Sequence, residues 1–322
     1  MKKVKAGIIG AAGYTGGELI RLLIHHPFIE HINAVSNSSS GKRICEIHTD
    51  LIGDTDLIFS GQLNGDEDVL FLCLGHGKSK EWLQKNTVSE KKLIIDLSQD
   101  FRIGREHGFV YGLPEYLKSE IAESNKIANP GCFATAIQLA LLPLLANNNI
   151  RDNIHVTATT GSTGAGQALS DTVHFSWRSN NHSAYKSMQH QHMKEIMQTV
   201  GKFQPDNNIH LHFIPNRGAF TRGIHAVVYT NFGGNTEDAA MLFGNYYKEA
   251  AFCHVVKNEP DVKQVVNTNK CLLFPEVING QIVITSVIDN LLKGASGQAL
   301  QNMNIAFNFP EKSGLLLKPT AY

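Results

Sequence analysis

The chain has 322 residues, more than a single domain of about 100–200, so two domains are expected. Its 29 Lys and Arg balance 29 Asp and Glu, and a formal net charge of zero argues against a polyanionic partner such as nucleic acid. There is no run of about 18 apolar residues to span a membrane, the basic start Met1-Lys2-Lys3-Val4-Lys5 leads into too short an apolar run for a signal peptide, and Cys45, Cys73, Cys132, Cys253 and Cys271 are scattered with no CxxC, which fits reduced thiols in a cytoplasmic protein.

Val4–Ile9 reads as an apolar strand. Gly10, Gly13 and Gly16 follow in GxxGxxG spacing, and residues 18–23 have helical spacing, so strand, glycine turn and helix form the first unit of a dinucleotide-binding fold. Glycines permit the tight turn and let backbone N–H groups approach a pyrophosphate at the helix N-terminus; a glycine-rich surface turn is the competing reading. The second strand, residues 32–35, runs into Ser36-Asn37-Ser38-Ser39-Ser40-Gly41-Lys42-Arg43. No acidic residue stands there to bind a ribose 2′-hydroxyl, whereas hydroxyls and two cations suit a 2′-phosphate, so the expected cofactor is NADP(H). A solvated loop is the alternative. Residues 68–74 and 93–97 are further buried-type strands, with Cys73 a core residue and His76 a loop histidine. Arg102 lies just past a strand's C-terminal end, the side on which open α/β sheets bind ligands, and its planar fork suits an oxyanion. A salt bridge to Asp96 or Asp100 is the other possibility.

Asn129-Pro130-Gly131 is a turn string, and a run of helix formers follows Cys132. A thiol in the first turn of a helix faces unpaired N–H groups and the positive end of the dipole, which favours the nucleophilic thiolate; a buried structural cysteine is the competing reading. Strands alternating with helices up to this point give a Rossmann-like doubly wound parallel sheet, an α/β fold. Beyond about residue 150 the texture changes. Residues 155–160 alternate as a half-buried strand, 161–166 form a second glycine-rich loop, 171–187 a long loop, and 236–251 a helix; 211–214, 223–230 and 281–288 are strands. This half is expected to be α+β with a mainly antiparallel sheet.

His190 and His192 precede a helix whose apolar face is Ile196, Met197 and Val200. On a helix, residues spaced i, i+2 point to opposite sides, so at most one should face a given site. No third ligand stands at suitable spacing, so no metal is expected. A histidine beside a thiolate is the usual acid/base partner, and a surface histidine is the bland alternative. Arg222 stands at a strand start. Residues 289–303 are a polar, glycine-rich lead-in to a helix expected to pack back on the first domain.

Several strings in order carry a resemblance: GAAGYTGGE from Gly10 to Glu18, Ser39-x-Gly41-Lys42, DLSQDFR from Asp96 to Arg102, YGLPE from Tyr111 to Glu115, NPGCFAT from Asn129 to Thr135, Gly164-Ala165-Gly166, His190-x-His192-x-x-Glu195-Ile196, Thr221-Arg222-Gly223, and the segment from Asp289 to Asn304. Together they cover nearly the whole chain, which resembles the N-acetyl-gamma-glutamyl-phosphate reductase family, related to aspartate-semialdehyde dehydrogenase. The resemblance implies Cys132 as nucleophile and His190 as acid/base, with His192 the second candidate. It places Arg102 where related dehydrogenases hold substrate phosphate, and Glu195 and Arg222 near the substrate. Cofactor contacts are implied at Gly10, Gly13, Tyr14, Thr15 and Gly16, at Ser36, Ser38, Ser39 and Lys42, and at Asn290 and Gln298. Lys194, Gln167, Thr160 and Thr163 depart from the family's usual Pro, Arg and serines, which bears on substrate details such as the acyl group.

The implied activity is NADPH-dependent reduction of N-acetyl-gamma-glutamyl phosphate to N-acetyl-glutamate 5-semialdehyde and phosphate, through a cysteine thioester, in arginine biosynthesis. The implied domains are an NADP-binding Rossmann domain of residues 1–131 and 293–322 and a catalytic and dimerisation domain of 132–292. A small acyl-phosphate substrate, no nucleic-acid or membrane partner, and a homodimer or homotetramer are expected. The alternatives are the same reaction on an N-succinyl or related substrate, an aspartate-semialdehyde dehydrogenase, a thiol acyl-hydrolase, or an NADP-binding redox sensor that switches through Cys132.

Overall fold

Short, almost unbroken apolar runs such as VLFL and LIID bury both faces, as strands of a parallel sheet covered by helices must. A computed structural model describes residues 2–104, 106–205 and 208–320, so residues 1, 105, 321 and 322 of the expected first domain and 206–207 of the expected second lie outside the described residues. The chain divides into two units, Met1–Pro130 with Ala295–Leu316, and Gly131–Gly294 with Leu317–Tyr322.

The first unit contains β1 (Val4–Ile9), α1 (Tyr14–Leu23), β2 (Ile29–Val35), β3 (Val69–Leu72), α2 (Lys78–Lys85), β4 (Leu93–Asp96), β5 (Val110–Tyr111), α3 (Pro114–Ala122) and β6 (Lys126–Ala128). Its six strands pair in parallel in the order β2-β1-β3-β4-β6-β5. The order reverses at β1, so the loop after β1 opens at the topological switch point. Helix α1 starts at Tyr14, four residues before the stretch whose spacing looks helical, and Gly16 and Gly17 lie inside it. They serve close packing rather than a turn. A Cβ on Gly16 would stand 2.6 Å from the Cα of Ala11, and one on Gly17 would stand 2.5 Å from the His48 ring.

The second unit begins with α4 (Cys132–Ala146) and continues through β7 (Ile154–Thr160), α5 (Phe175–Arg178), β8 (Ser183–Ala184), α6 (His192–Phe203), β9 (Leu211–Arg217), β10 (Ile224–Asn231), α7 (Thr236–Tyr247), β11 (Cys253–Val255), β12 (Cys271–Ile278) and β13 (Gln281–Ile288). Its sheet runs β11-β12-β13-β10-β7-β9-β8. It is mainly antiparallel, but β7–β9 and β11–β12 pair in parallel. Residues 171–187 are not one long loop, since α5 and β8 fall within them. Strand β10 alternates buried and half-buried residues, and α4, α6 and α7 pack on the sheet through β10, β9 and β12.

Helix α4 is buried at every position from Phe133 to Leu145, as a helix that is apolar all round must be. Pro143 lies within it and cannot donate to the carbonyl of Leu139. The Tyr247 hydroxyl donates to that carbonyl instead, so a core helix keeps a proline without leaving a buried acceptor unmet. The last helix, α8 (Gly297–Ala306), belongs to the first unit and packs on α1, α3 and β4. No described helix is long and apolar enough to cross a membrane.

Candidate active site

Cys132 is the first residue of α4, with Gly131 as an extended N-cap that offers no side chain to the helix start. The first-turn amides of the helix that carries the thiol therefore receive no side-chain cap from Gly131. The turn is held from behind by Glu195, which is buried and accepts a hydrogen bond from the Gly131 N–H at 3.0 Å. On the other side, a Cβ at Gly294 would stand 2.8 Å from the Cβ of Cys132, so only glycine leaves room for the cysteine there.

His190 and His192 are both buried, and their ring centroids lie 4.6 Å apart. The expectation that at most one would face a given site does not hold. His190 precedes the first residue of α6, so helical spacing does not separate the pair, and both rings meet Phe133 edge-on. The His192 backbone N–H donates to Nδ1 of His190 at 3.3 Å, which leaves the proton of the neutral ring on Nε2. Burial pushes the pKa of His190 down to about 3, helped by His192, Lys186 and Arg217 and opposed by Glu195. The resting ring is neutral and can donate through Nε2.

Two residues that sequence reasoning missed complete this cluster. The Tyr185 ring lies 5.8 Å from that of His190. Burial, and then the nearby Cys132 charge, push the Tyr185 hydroxyl up to about 12. The guanidinium of Arg217 stands 4.6 Å from the centre of the Tyr185 ring. Tyr185 sits in the stretch read as a long loop, and Arg217 lies three residues beyond the expected end of its strand, which continues through Pro215. The carbonyl of Pro215 accepts from Tyr185 N, so the strand itself brings the tyrosine in.

Arg222 is held by the fully buried Asp289 through a two-point contact, Nε to Oδ2 at 3.1 Å and Nη2 to Oδ1 at 3.2 Å. Asp289 also accepts from the N–H groups of Asn267, Leu291 and Leu292. Asn290 accepts from Gly223 N and donates to Thr163 Oγ1. The structure therefore places Asn290 in the second unit among loop contacts, while Gln298 is buried in α8 of the first.

In the first unit, Gly10 has φ +84°, and a Cβ there would lie 2.4 Å from the Cys73 carbonyl. The N–H groups of Gly10 and Ala11 bond the Val35 carbonyl, which fixes the loop against the end of β2. The His48 ring bonds the Ala11 carbonyl at 2.8 Å, a support that local sequence does not signal. Helix α1 has no side-chain cap at Gly13 and no acid in its first turn, so its N-terminal amides suit a pyrophosphate. Tyr14 is exposed, and the Thr15 carbonyl accepts from Ser296 Oγ. Ser36 and Ser39 are buried, Ser38 and Lys42 are exposed, and Ser36 and Ser38 share a hydroxyl contact of 3.4 Å. These residues fit a nicotinamide dinucleotide. Arg102 is buried and donates from Nε to the Asn129 carbonyl and from Nη2 to the Leu97 carbonyl, both at 2.8 Å. Of the two acids anticipated as partners, buried Asp96 is within electrostatic reach of Arg102, while Asp100 accepts from Gly77 N and Lys80 N.

Comparison with known proteins adds to this geometry. Residues 5–124 match the semialdehyde dehydrogenase NAD binding domain, and residues 132–290 match the semialdehyde dehydrogenase dimerisation domain. A protein from Christiangramia forsetii named N-acetyl-gamma-glutamyl-phosphate reductase is 56% identical over 316 residues, covering 98% of each chain. Among solved structures, aspartate semialdehyde dehydrogenase II from Vibrio cholerae, complexed with ASA, superposes with a TM-score of 0.74 at 16% identity, over 96% of this chain and 99% of that one. Aspartate semialdehyde dehydrogenase with NADP from Candida albicans gives a TM-score of 0.68 at 17% identity, over 95% of this chain and 99% of that one.

Proposed function

The chain belongs to the N-acetyl-gamma-glutamyl-phosphate reductase family, and from that membership we propose how its residues carry out the NADPH-dependent reduction of N-acetyl-gamma-glutamyl phosphate to the 5-semialdehyde and phosphate, a step of arginine biosynthesis. The observation that supports this most directly is the thiol of Cys132 at the uncapped start of α4, in one cluster with a neutral His190.

Cys132, as thiolate, attacks the acyl carbon and expels phosphate, and the new C–S bond conserves the acyl activation as a thioester. Backbone N–H groups of the first turn of α4 hold the oxyanion, worth roughly 2.7–4 kcal/mol for one donor. When bound, NADPH supplies the hydride that reduces the thioester. Cys132 then leaves the hemithioacetal as thiolate while the carbonyl re-forms. His190 keeps its proton on Nε2 and donates a hydrogen bond to the oxyanion or to the departing thiolate, which carries the negative charge away. Arg102, Glu195 and Arg222 are assigned to substrate binding by their family positions, with Asp289 orienting Arg222 and Glu195 also setting the Cys132 turn.

The loop of Gly10, Gly13, Tyr14, Thr15 and Gly16 would hold the pyrophosphate. Ser36, Ser38, Ser39 and Lys42 would take the 2′-phosphate that distinguishes NADP from NAD, and Asn290 and Gln298 would contribute through their own units. A cytoplasmic homodimer or homotetramer completes the reading, supported by the dimerisation-domain match.

The test runs in reverse, which avoids the unstable acyl phosphate: phosphate-dependent reduction of NADP⁺ by N-acetyl-glutamate semialdehyde, in wild type and Cys132→Ser. Turnover in the wild type alone is expected. Activity surviving in the serine variant, or a wild type that binds NADP⁺ and turns over neither this semialdehyde nor its N-succinyl analogue, would sink the thioester route.

A further inference from the structure

Arg217 ends β9 inside the cluster of Cys132, Tyr185 and His190, all within the second unit. Its Nη1 touches Thr172 Oγ1 at 3.3 Å and the guanidinium is in hydrogen-bond reach of the Tyr185 side chain, yet its Nε is buried with no hydrogen-bond partner. Among the described residues no carboxylate pairs with this guanidinium. Two more cations stand close by. Arg178 is buried and spends its donors on the carbonyls of Thr172, Asn181 and Arg217 and on the Ser183 hydroxyl, all neutral acceptors. Lys186 lies near enough to oppose protonation of His190. The cluster's own acid, Glu195, is engaged at Gly131.

Arg222 makes the contrast. Its fork is closed on Asp289, whereas the fork of Arg217 is open at Nε and its guanidinium is braced against the face of an aromatic ring. A buried donor without a partner is rare in folded proteins and calls for one. A guanidinium pinned by a ring and a backbone strand presents a planar, preorganised pair of donors that matches a carboxylate in two-point contact.

We propose that Arg217, braced by Tyr185, recognises a carboxylate of the substrate. This rests on the reductase reading above. The carboxylate is either the α-carboxylate of the glutamyl backbone or one carried by the N-acyl group. The reductase reading leaves the phosphate to Arg102, so the target assigned to Arg217 is a carboxylate.

The experiment measures the reverse reaction of the full chain with N-acetyl- and N-succinyl-glutamate semialdehyde, for wild type, Arg217→Met and Arg217→Lys. Methionine keeps the packing and removes the charge. Loss of a charged hydrogen bond predicts a rise in KM for the semialdehyde of roughly 10- to 100-fold, with kcat little changed. The KM for phosphate stays constant, and lysine restores part of the loss. A rise for both semialdehydes assigns the α-carboxylate; a rise for the N-succinyl compound alone assigns the acyl carboxylate. Unchanged KM for both, a fall in kcat alone, or a shift in the phosphate KM overturns the proposal. If Arg217→Met does not fold, Arg217→Gln, which also removes the charge, carries the same comparison. A wild type inactive on both semialdehydes would strike the reductase reading and this inference together, whereas unchanged KM in an active enzyme strikes the inference alone.

Discussion

Replacing Gly294 by alanine tests whether that glycine exists to make room for the nucleophile. The added Cβ would stand 2.8 Å from the Cβ of Cys132, 3.1 Å from its Cα and 3.3 Å from the Asp289 carbonyl oxygen. Carbon atoms in comfortable contact sit about 3.5–4.0 Å apart, so the overlap is close to 1 Å. Neither neighbour is a flexible tip. Cys132 opens α4, which cannot retreat because every residue from Phe133 to Leu145 is buried. Overpacking of this kind costs about 1–3 kcal/mol. In a chain of 322 residues each kcal/mol lowers Tm by roughly 1.5 °C. The larger effect falls on rate, since a misplacement of about 1 Å at a reacting group costs on the order of 100-fold. The assay is kcat for phosphate-dependent NADP⁺ reduction, together with the rate of Cys132 alkylation by iodoacetamide and a melting curve. Wild-type kcat, alkylation rate and Tm in Gly294→Ala would refute the packing argument.

Asp289→Asn should lower stability by about 3–5 kcal/mol, because it removes one member of a buried ion pair and misdirects three backbone bonds; urea denaturation measures this, and a loss under about 1 kcal/mol contradicts it. His190 takes its proton near pH 6.5 when unfolded but only near 3 when folded, so the unfolded chain binds more protons in that window. Stability is then complete above about pH 6.5 and falls by several kcal/mol toward pH 3. His190→Gln should flatten that decline, and identical urea midpoints against pH in wild type and variant would rule it out. Gly10→Ala forces a methyl to 2.4 Å from the Cys73 carbonyl at a φ of +84°. It should weaken NADP⁺ binding at least tenfold by titration calorimetry, in proportion to about 1.4 kcal/mol or more of strain; unchanged affinity would show that the loop tolerates it.

The parallel sheet is the part of the fold most open to reading from sequence, for a physical reason. Strands buried on both faces are continuous apolar runs, and β1 has the limits its composition marks; in the mixed sheet β13 does too. The cysteine at the head of a helix is equally plain, since turn formers and helix formers meet at Gly131. Packing over distance is not plain. Gly16 and Gly17 look like turn residues but serve contacts to Ala11 and His48. The pairing of His190 with His192 depends on where α6 starts, which no periodic pattern marks. Arg222 finds Asp289 67 positions away, and Tyr185 meets Arg217 only because β8 and β9 pair. A parallel partner such as β9 for β7 is likewise set by the whole sheet and not by either segment.

The burial of α4 has a consequence for how the second unit moves and varies. Amide exchange along this helix should wait for the opening of the whole unit, because no part of it is a loosely held segment. The reactive thiol is mounted on a helix buried from Phe133 to Leu145, while the groups that meet it, Tyr185, His190 and the turn at Gly294, come from loops and element ends. Tuning of substrate choice is free to proceed in those loops, but a change within residues 133–145 registers first as lost protein and only afterwards, if at all, as altered chemistry.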